Sequence, residues 1–128
     1  MMRKFNVLLV EDTKLLAEMV MDTLKQIPEV ETYHTATGDA AVAFLESVKP
    51  DLMMLDLNLP GRSGWQVLEF VKGKYGSGKV KVIVMTAQSD GANKLVGMLQ
   101  EVDQYLIKPV PPREILAIVR ETLDISTT

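Results

Sequence analysis

The 128-residue sequence predicts an α/β fold built on a parallel sheet, and three observations carry that expectation. Short apolar runs alternate with segments of helical periodicity along nearly the whole chain. The connections between them are short, so successive strands are joined by right-handed crossovers into a parallel sheet. The run Leu52-Met53-Met54-Leu55 is apolar at every position, as expected of a strand buried on both faces of such a sheet.

Taken in order, Phe5 to Val10 is a first strand ending in Glu11-Asp12. Thr13 to Gln26 places Leu16, Met19, Val20, Leu24 and Ile27 on one helical face, with Asp12 or Thr13 as N-cap and Pro28 as the stop. Val30 to Thr35 is a second strand, less apolar and so near a sheet edge. Asp39 to Val48 is a second helix with Ala41, Phe44, Leu45 and Val48 on one face, closed by Pro50. The central strand then ends at Asp56, ahead of the turn-formers Pro60, Gly61 and Gly64.

A third helix runs from about Gly64 to Val71, with Trp65, Leu68 and Val71 inward, and Gly73 to Lys79 is a Gly-rich connector. Val80 to Met85 is the fourth strand, Asp90 to Val102 the fourth helix and Gln104 to Ile107 the fifth strand. Gly91 and Gly97 weaken the fourth helix, each by up to roughly 1 kcal/mol relative to alanine. Arg113 to Leu123 is the last helix, entered through Pro111-Pro112. Residues 1–124 are thus expected to form one domain, with 125–128 as a frayed tail.

Composition narrows the function. A hydrophobic fraction of 47% with 24% charged residues is that of a soluble globular domain, and the net charge of −3 gives no electrostatic reason for direct binding to nucleic acid. The absence of cysteine excludes disulfides and thiolate metal sites and is compatible with the cytoplasm. The N-terminal apolar run is too short for a signal peptide, and no stretch is long enough to span a membrane.

Four strand ends carry reactive side chains: Glu11-Asp12, Asp56, Thr86 and Lys108. In a parallel sheet all carboxyl ends lie on one rim, where open α/β sheets bind their ligands. Asp56 alone would read as a turn or capping acid. Three carboxylates in one shallow site, however, repel one another unless a cation sits among them, and with Lys108 the four groups sum to −2 when all are ionised. Few hard oxygen ligands with room for water suit Mg²⁺. Asp56 is then placed to attack phosphorus and form an acyl phosphate.

The elements Val10-Glu11-Asp12, Asp56 with Leu57-Asn58-Leu59-Pro60-Gly61 and Gly64, Met85-Thr86-Ala87, and Tyr105-Leu106-Ile107-Lys108-Pro109 follow one another at successive strand ends. In this the sequence resembles the receiver domain of response regulators, from about Phe5 to Leu123. The resemblance implies a flavodoxin-like three-layer sandwich with a five-stranded parallel sheet in the order 2-1-3-4-5. It implies Mg²⁺ held by Asp12 and Asp56, by Glu11 directly or through water, and by the Asn58 backbone carbonyl. It also implies that Lys108, the Thr86 hydroxyl and a backbone N–H near Ala87 receive the phosphoryl oxygens. Phosphorylation would come from a sensor histidine kinase or a phosphotransfer protein. Thr86 would then swing toward the site and Tyr105 turn inward behind it. That change would remodel the face of the fourth helix, fifth strand and last helix, where a downstream protein or a second copy of the chain would dock. A cis Lys108–Pro109 peptide is implied as well, and Asn58 and Gln88 stand where the family tunes loss of the phosphoryl group.

The chain departs from the family at Glu101-Val102-Asp103, at Val110 in place of an aromatic, and at Pro111-Pro112 in place of a polar N-cap. Gly73 to Lys79 matches the start of a phosphate-binding P-loop, but Val80 follows where Ser or Thr is needed, and the segment leads from helix to strand. His34, the single histidine, is read as lying away from the rim. The expectation is therefore a switch that catalyses only its own phosphorylation and dephosphorylation, either a single-domain regulator or a receiver cut from a longer protein. A flavodoxin-like cofactor binder is disfavoured by the acidic loop Glu11-Asp12-Thr13-Lys14. A phosphohydrolase is disfavoured because Asn58 supplies no general acid.

Overall fold

A computed structural model describes residues 4–87 and 102–126. Five strands, β1 (Phe5–Val10), β2 (Val30–Thr35), β3 (Leu52–Asp56), β4 (Lys81–Thr86) and β5 (Gln104–Ile107), form one sheet in the order β2-β1-β3-β4-β5. Every neighbouring pair is parallel. The described helices are α1 (Lys14–Leu24), α2 (Gly38–Ser47), α3 (Gly64–Tyr75) and α4 (Pro112–Leu123). Gln88, Gly91, Gly97 and nearly all of the helix expected over Asp90 to Val102 lie outside the described residues.

Alternation along the strands divides the core in two. Val7, Leu9, Met54, Ile83 and Met85 face Ala17, Val20 and Leu24 of α1 and Ile115, Val119 and Leu123 of α4. Leu8, Val10, Met53, Leu55, Val82 and Val84 face Ala41, Val42 and Leu45 of α2 and Val67, Leu68 and Val71 of α3. All five residues of β3 are buried, as its unbroken apolar run requires, and β2, the most polar strand, is an edge. Each large aliphatic side chain withdrawn from water contributes about 1.5–3 kcal/mol, which makes this double core the main support of the rim above it.

Several boundaries differ from expectation for local reasons. α3 runs on through Gly73 to Tyr75, because the Tyr75 hydroxyl donates to the Leu45 carbonyl of α2 and anchors the extra turn. The connector shrinks accordingly, with Gly76 and Gly78 at positive φ. β4 is shifted one residue later than expected and takes in Thr86. Thr13 takes the N-cap position of α1 without a side-chain bond, whereas Thr37 caps α2 through the Ala40 N–H and Ser63 forms a capping box with Gln66 at α3. Val110 is buried in the α1–α4 core, so this departure from the family fills the interior and not an exposed docking face. Ile125 donates to the Arg120 carbonyl and packs against the same core.

Candidate functional site

The parallel order places the carboxyl ends of β1, β3, β4 and β5 side by side. Glu11 directly follows β1, Asp56 ends β3, Thr86 ends β4 and Lys108 directly follows β5. The Lys108 N–H donates to the Thr86 carbonyl at 2.8 Å, extending the β4–β5 pairing by one step. From that anchor the side chain crosses the end of β4. Its Nζ lies 2.9 Å from Glu11 Oε1 and 3.1 Å from Asp56 Oδ2. The Lys108–Pro109 peptide is cis.

Both carboxylates are buried, Glu11 at 0% and Asp56 at 2% exposure, so the ammonium compensates charges that water cannot reach. Their remaining oxygens accept backbone N–H groups. Asp56 Oδ1 takes Asn58 N–H at 2.9 Å and Glu11 Oε2 takes Thr13 N–H at 3.1 Å. Burial pushes the Glu11 carboxyl above its ordinary range, and Asp56 adds to the rise against the opposing pull of Lys108 and Thr13. Burial draws the Lys108 ammonium down, but its bonds to Glu11 and Asp56 outweigh that and hold it above the usual lysine value.

Asp12 is exposed at the mouth of the site. Glu11, Asp12 and Asp56 each offer a carboxylate oxygen within 4.8 Å of the others. An all-oxygen set of this size matches a small hard cation, and Mg²⁺ tolerates few protein ligands because it retains water. The donor set therefore fits the ion that the residue types called for. Asn58 is exposed beside it and enters the geometry through its N–H to Asp56.

Thr86 is buried, and its hydroxyl donates to the Ala87 carbonyl at 3.3 Å. Ala87 is exposed just beyond the strand. Tyr105 is half-buried and packs with the cluster on the α2–α3 face. One expectation is corrected. His34 does not lie away from the rim, because its Nε2 sits 2.8 Å from the Glu11 backbone carbonyl. It pairs with Leu9 in the β1–β2 register, so its ring falls on the α1 side and reaches the chain just past Val10. No spacing in the sequence marks that contact, since it depends on the register of two strands.

A family model for the response regulator receiver domain matches residues 7–120. The chain belongs to the receiver domain family. It is 33% identical over 120 residues to the DNA-binding response regulator MtrA of Mycobacterium tuberculosis, covering 91% of this chain and 50% of that protein. The same figures hold for MtrA of Mycobacterium leprae, so this receiver spans about half the length of the curated relatives it matches. Among solved structures, the receiver domain of a putative LuxO repressor protein from Vibrio parahaemolyticus superposes with a TM-score of 0.85 at 32% identity. That match covers 94% of this chain and 91% of the other. A CheY-like receiver domain protein from Methanospirillum hungatei gives 0.82 at 26% identity, with 94% of each chain covered. The flavodoxin-like sandwich and its strand order are those of this receiver family.

Proposed function

We propose that this receiver is a phosphorylation-controlled switch in which Asp56 is the nucleophile and accepts a phosphoryl group from a phosphohistidine donor. The observation that carries the reading is the Lys108 ammonium held between buried Asp56 and Glu11 at 3.1 and 2.9 Å, with Asp12 completing an oxygen cluster. An Asp56 carboxylate oxygen attacks phosphorus as the bond to the donor imidazole nitrogen breaks, and that nitrogen keeps the electron pair. Charge in the transferring group spreads over its equatorial oxygens, so catalysis is positioning and neutralisation. Glu11, Asp12, Asp56 and the Asn58 carbonyl would hold Mg²⁺, which would supply part of that neutralisation.

Lys108 supplies a second cation and is held charged by its two acidic partners. The Thr86 hydroxyl, now directed to the Ala87 carbonyl, rotates toward the phosphoryl oxygens. Its departure leaves space beside β5 for Tyr105, and the two packings exchange as a population shift. The face containing β5 and α4 then reports the state to a protein partner.

Intact-mass measurement after incubation with Mg²⁺ and a small acyl phosphate tests this directly. One phosphoryl group is expected on the wild type, and none on Asp56→Asn or on wild type treated with a chelator. A phosphoryl group retained on Asp56→Asn would mean that another residue is the acceptor.

A further inference from the structure

The loop between β3 and α3, residues 57–63, carries Asn58 and so sets where a backbone ligand of the proposed metal site lies. Its two ends are tied down locally, by the Asn58 N–H to Asp56 Oδ1 and by the capping box of Ser63 and Gln66. Leu57 and Leu59 bury in the core, and Arg62 leans on a different element. At the start of α2, a Cβ built on Gly38 would lie 2.2 Å from the Arg62 carbonyl oxygen, 2.9 Å from Arg62 Cβ and 3.0 Å from the Arg62 carbonyl carbon. The bare Cα of Gly38 is therefore the surface on which the loop backbone rests.

The neighbouring Asp39 Oδ1 also receives Arg62 Nε at 2.9 Å, but both side chains are largely exposed. Such a pair contributes little, so the backbone contact dominates the clamp. α2 itself cannot easily retreat. Ala41, Val42 and Leu45 lock it into the core, and Thr37 caps it at this same turn. Leu57 and Leu59 hold part of the loop in that same core, but Pro60, Gly61 and Arg62 are exposed, so added bulk at position 38 pushes first on the 60–62 stretch and through it on Asn58.

We propose that Gly38 is a positioning residue for the phosphorylation site, its missing side chain setting the height of the 57–63 loop and with it the Asn58 carbonyl. This rests on the function proposed above. An added methyl group must push the Arg62 carbonyl by about 1 Å to restore ordinary contact. Residues that orient metal ligands from behind typically change metal affinity about 10–100-fold when altered.

The test uses Gly38→Ala and, in case that variant folds poorly, Arg62→Gly, which keeps the space at Gly38 and loosens the loop from the other side. Three quantities are read on each: Mg²⁺ affinity by calorimetry, amide shifts of residues 57–63 without metal, and the thermal midpoint. Gly38→Ala is expected to weaken Mg²⁺ about tenfold with loop shifts already present in the metal-free protein, while phosphorylation at saturating Mg²⁺ recovers to within about threefold of wild type. Arg62→Gly is expected to weaken Mg²⁺ in the same direction. Wild-type affinity in whichever variant folds, whether or not its midpoint falls, overturns the positioning role: Gly61 has then absorbed the displacement, or the contact is purely structural. Failure of the wild type itself to bind Mg²⁺ overturns the functional reading, and the inference falls with it.

Discussion

Lys108 reaches from β5 past the end of β4 to two buried acids, and its contribution depends on remaining an ammonium. Its removal is expected to slow phosphorylation about 10²–10³-fold, the range seen when one preorganised donor to a developing oxyanion is lost. Stopped-flow phosphorylation of Lys108→Met against wild type at saturating Mg²⁺ measures this. The same side chain predicts a pH dependence of stability. Its folded pKa lies above the ordinary 10.5, so its stabilisation is complete below that pH and fades as pH rises through the raised value. The difference in urea midpoint between metal-free wild type and Lys108→Met should be flat near neutrality and close in the alkaline limb. A difference that widens there would mean that Lys108 is not held charged by Glu11 and Asp56. For Thr86→Ala, the phosphoryl group is still accepted, because Asp56 and Lys108 remain. The proposed shift in Tyr105 environment on phosphorylation should be lost, which ring NMR signals would show.

At the scale of elements, the site depends on how tightly α3 closes on the end of β3. A Cβ on Gly64 would lie 2.6 Å from the Asp56 carbonyl oxygen and 2.7 Å from Leu57 Cα, both backbone atoms. Gly64→Ala should therefore destabilise the fold by about 1–3 kcal/mol, as overpacking does where nothing flexible can yield. Equilibrium urea unfolding reads this. An unchanged midpoint would show that α3 slides outward freely. The first turn of α2 holds the same loop from the other side, and Thr37→Ala, which removes its cap on Ala40, should cost about 1 kcal/mol. Position in the sequence announced Gly64 through its place after Asp56, but it did not announce that Gly38 meets Arg62, because that contact joins the start of α2 to a loop of the next crossover.

For the molecule as a whole, the proposed cation site on one rim would link folding to cation binding. Glu11 and Asp56 are buried in the folded chain, and a divalent ion among them would offset repulsion that the unfolded chain does not feel. Mg²⁺ at about 100 times its dissociation constant should raise stability by about 2.7 kcal/mol, and a chelator should remove that increment. Thermal melts of wild type and Asp12→Asn, with and without Mg²⁺, check it, and the increment should shrink in the variant. Equal increments in both would place the ion elsewhere. In the proposed switch, the global response to phosphorylation is a choice between packings around Thr86 and Tyr105, built on a sheet whose central strand is fully buried.

By itself the sequence determined the described elements, the buried central strand and which side chains stand at the strand ends. Periodicity, turn-formers and strand-end residues are local signals, and a parallel sheet brings its strand ends to one rim whatever the details. It also placed β2 at an edge, from its polarity alone. Only the tertiary structure decided which groups touch. Lys108 lies between Glu11 and Asp56, His34 rests on the Glu11 carbonyl, and Gly38 supports the loop beside Asp56. These contacts join residues from 23 to 97 positions apart along the chain, as the numbering of each pair shows. They are set by strand register and close backbone packing, which no short window of sequence encodes.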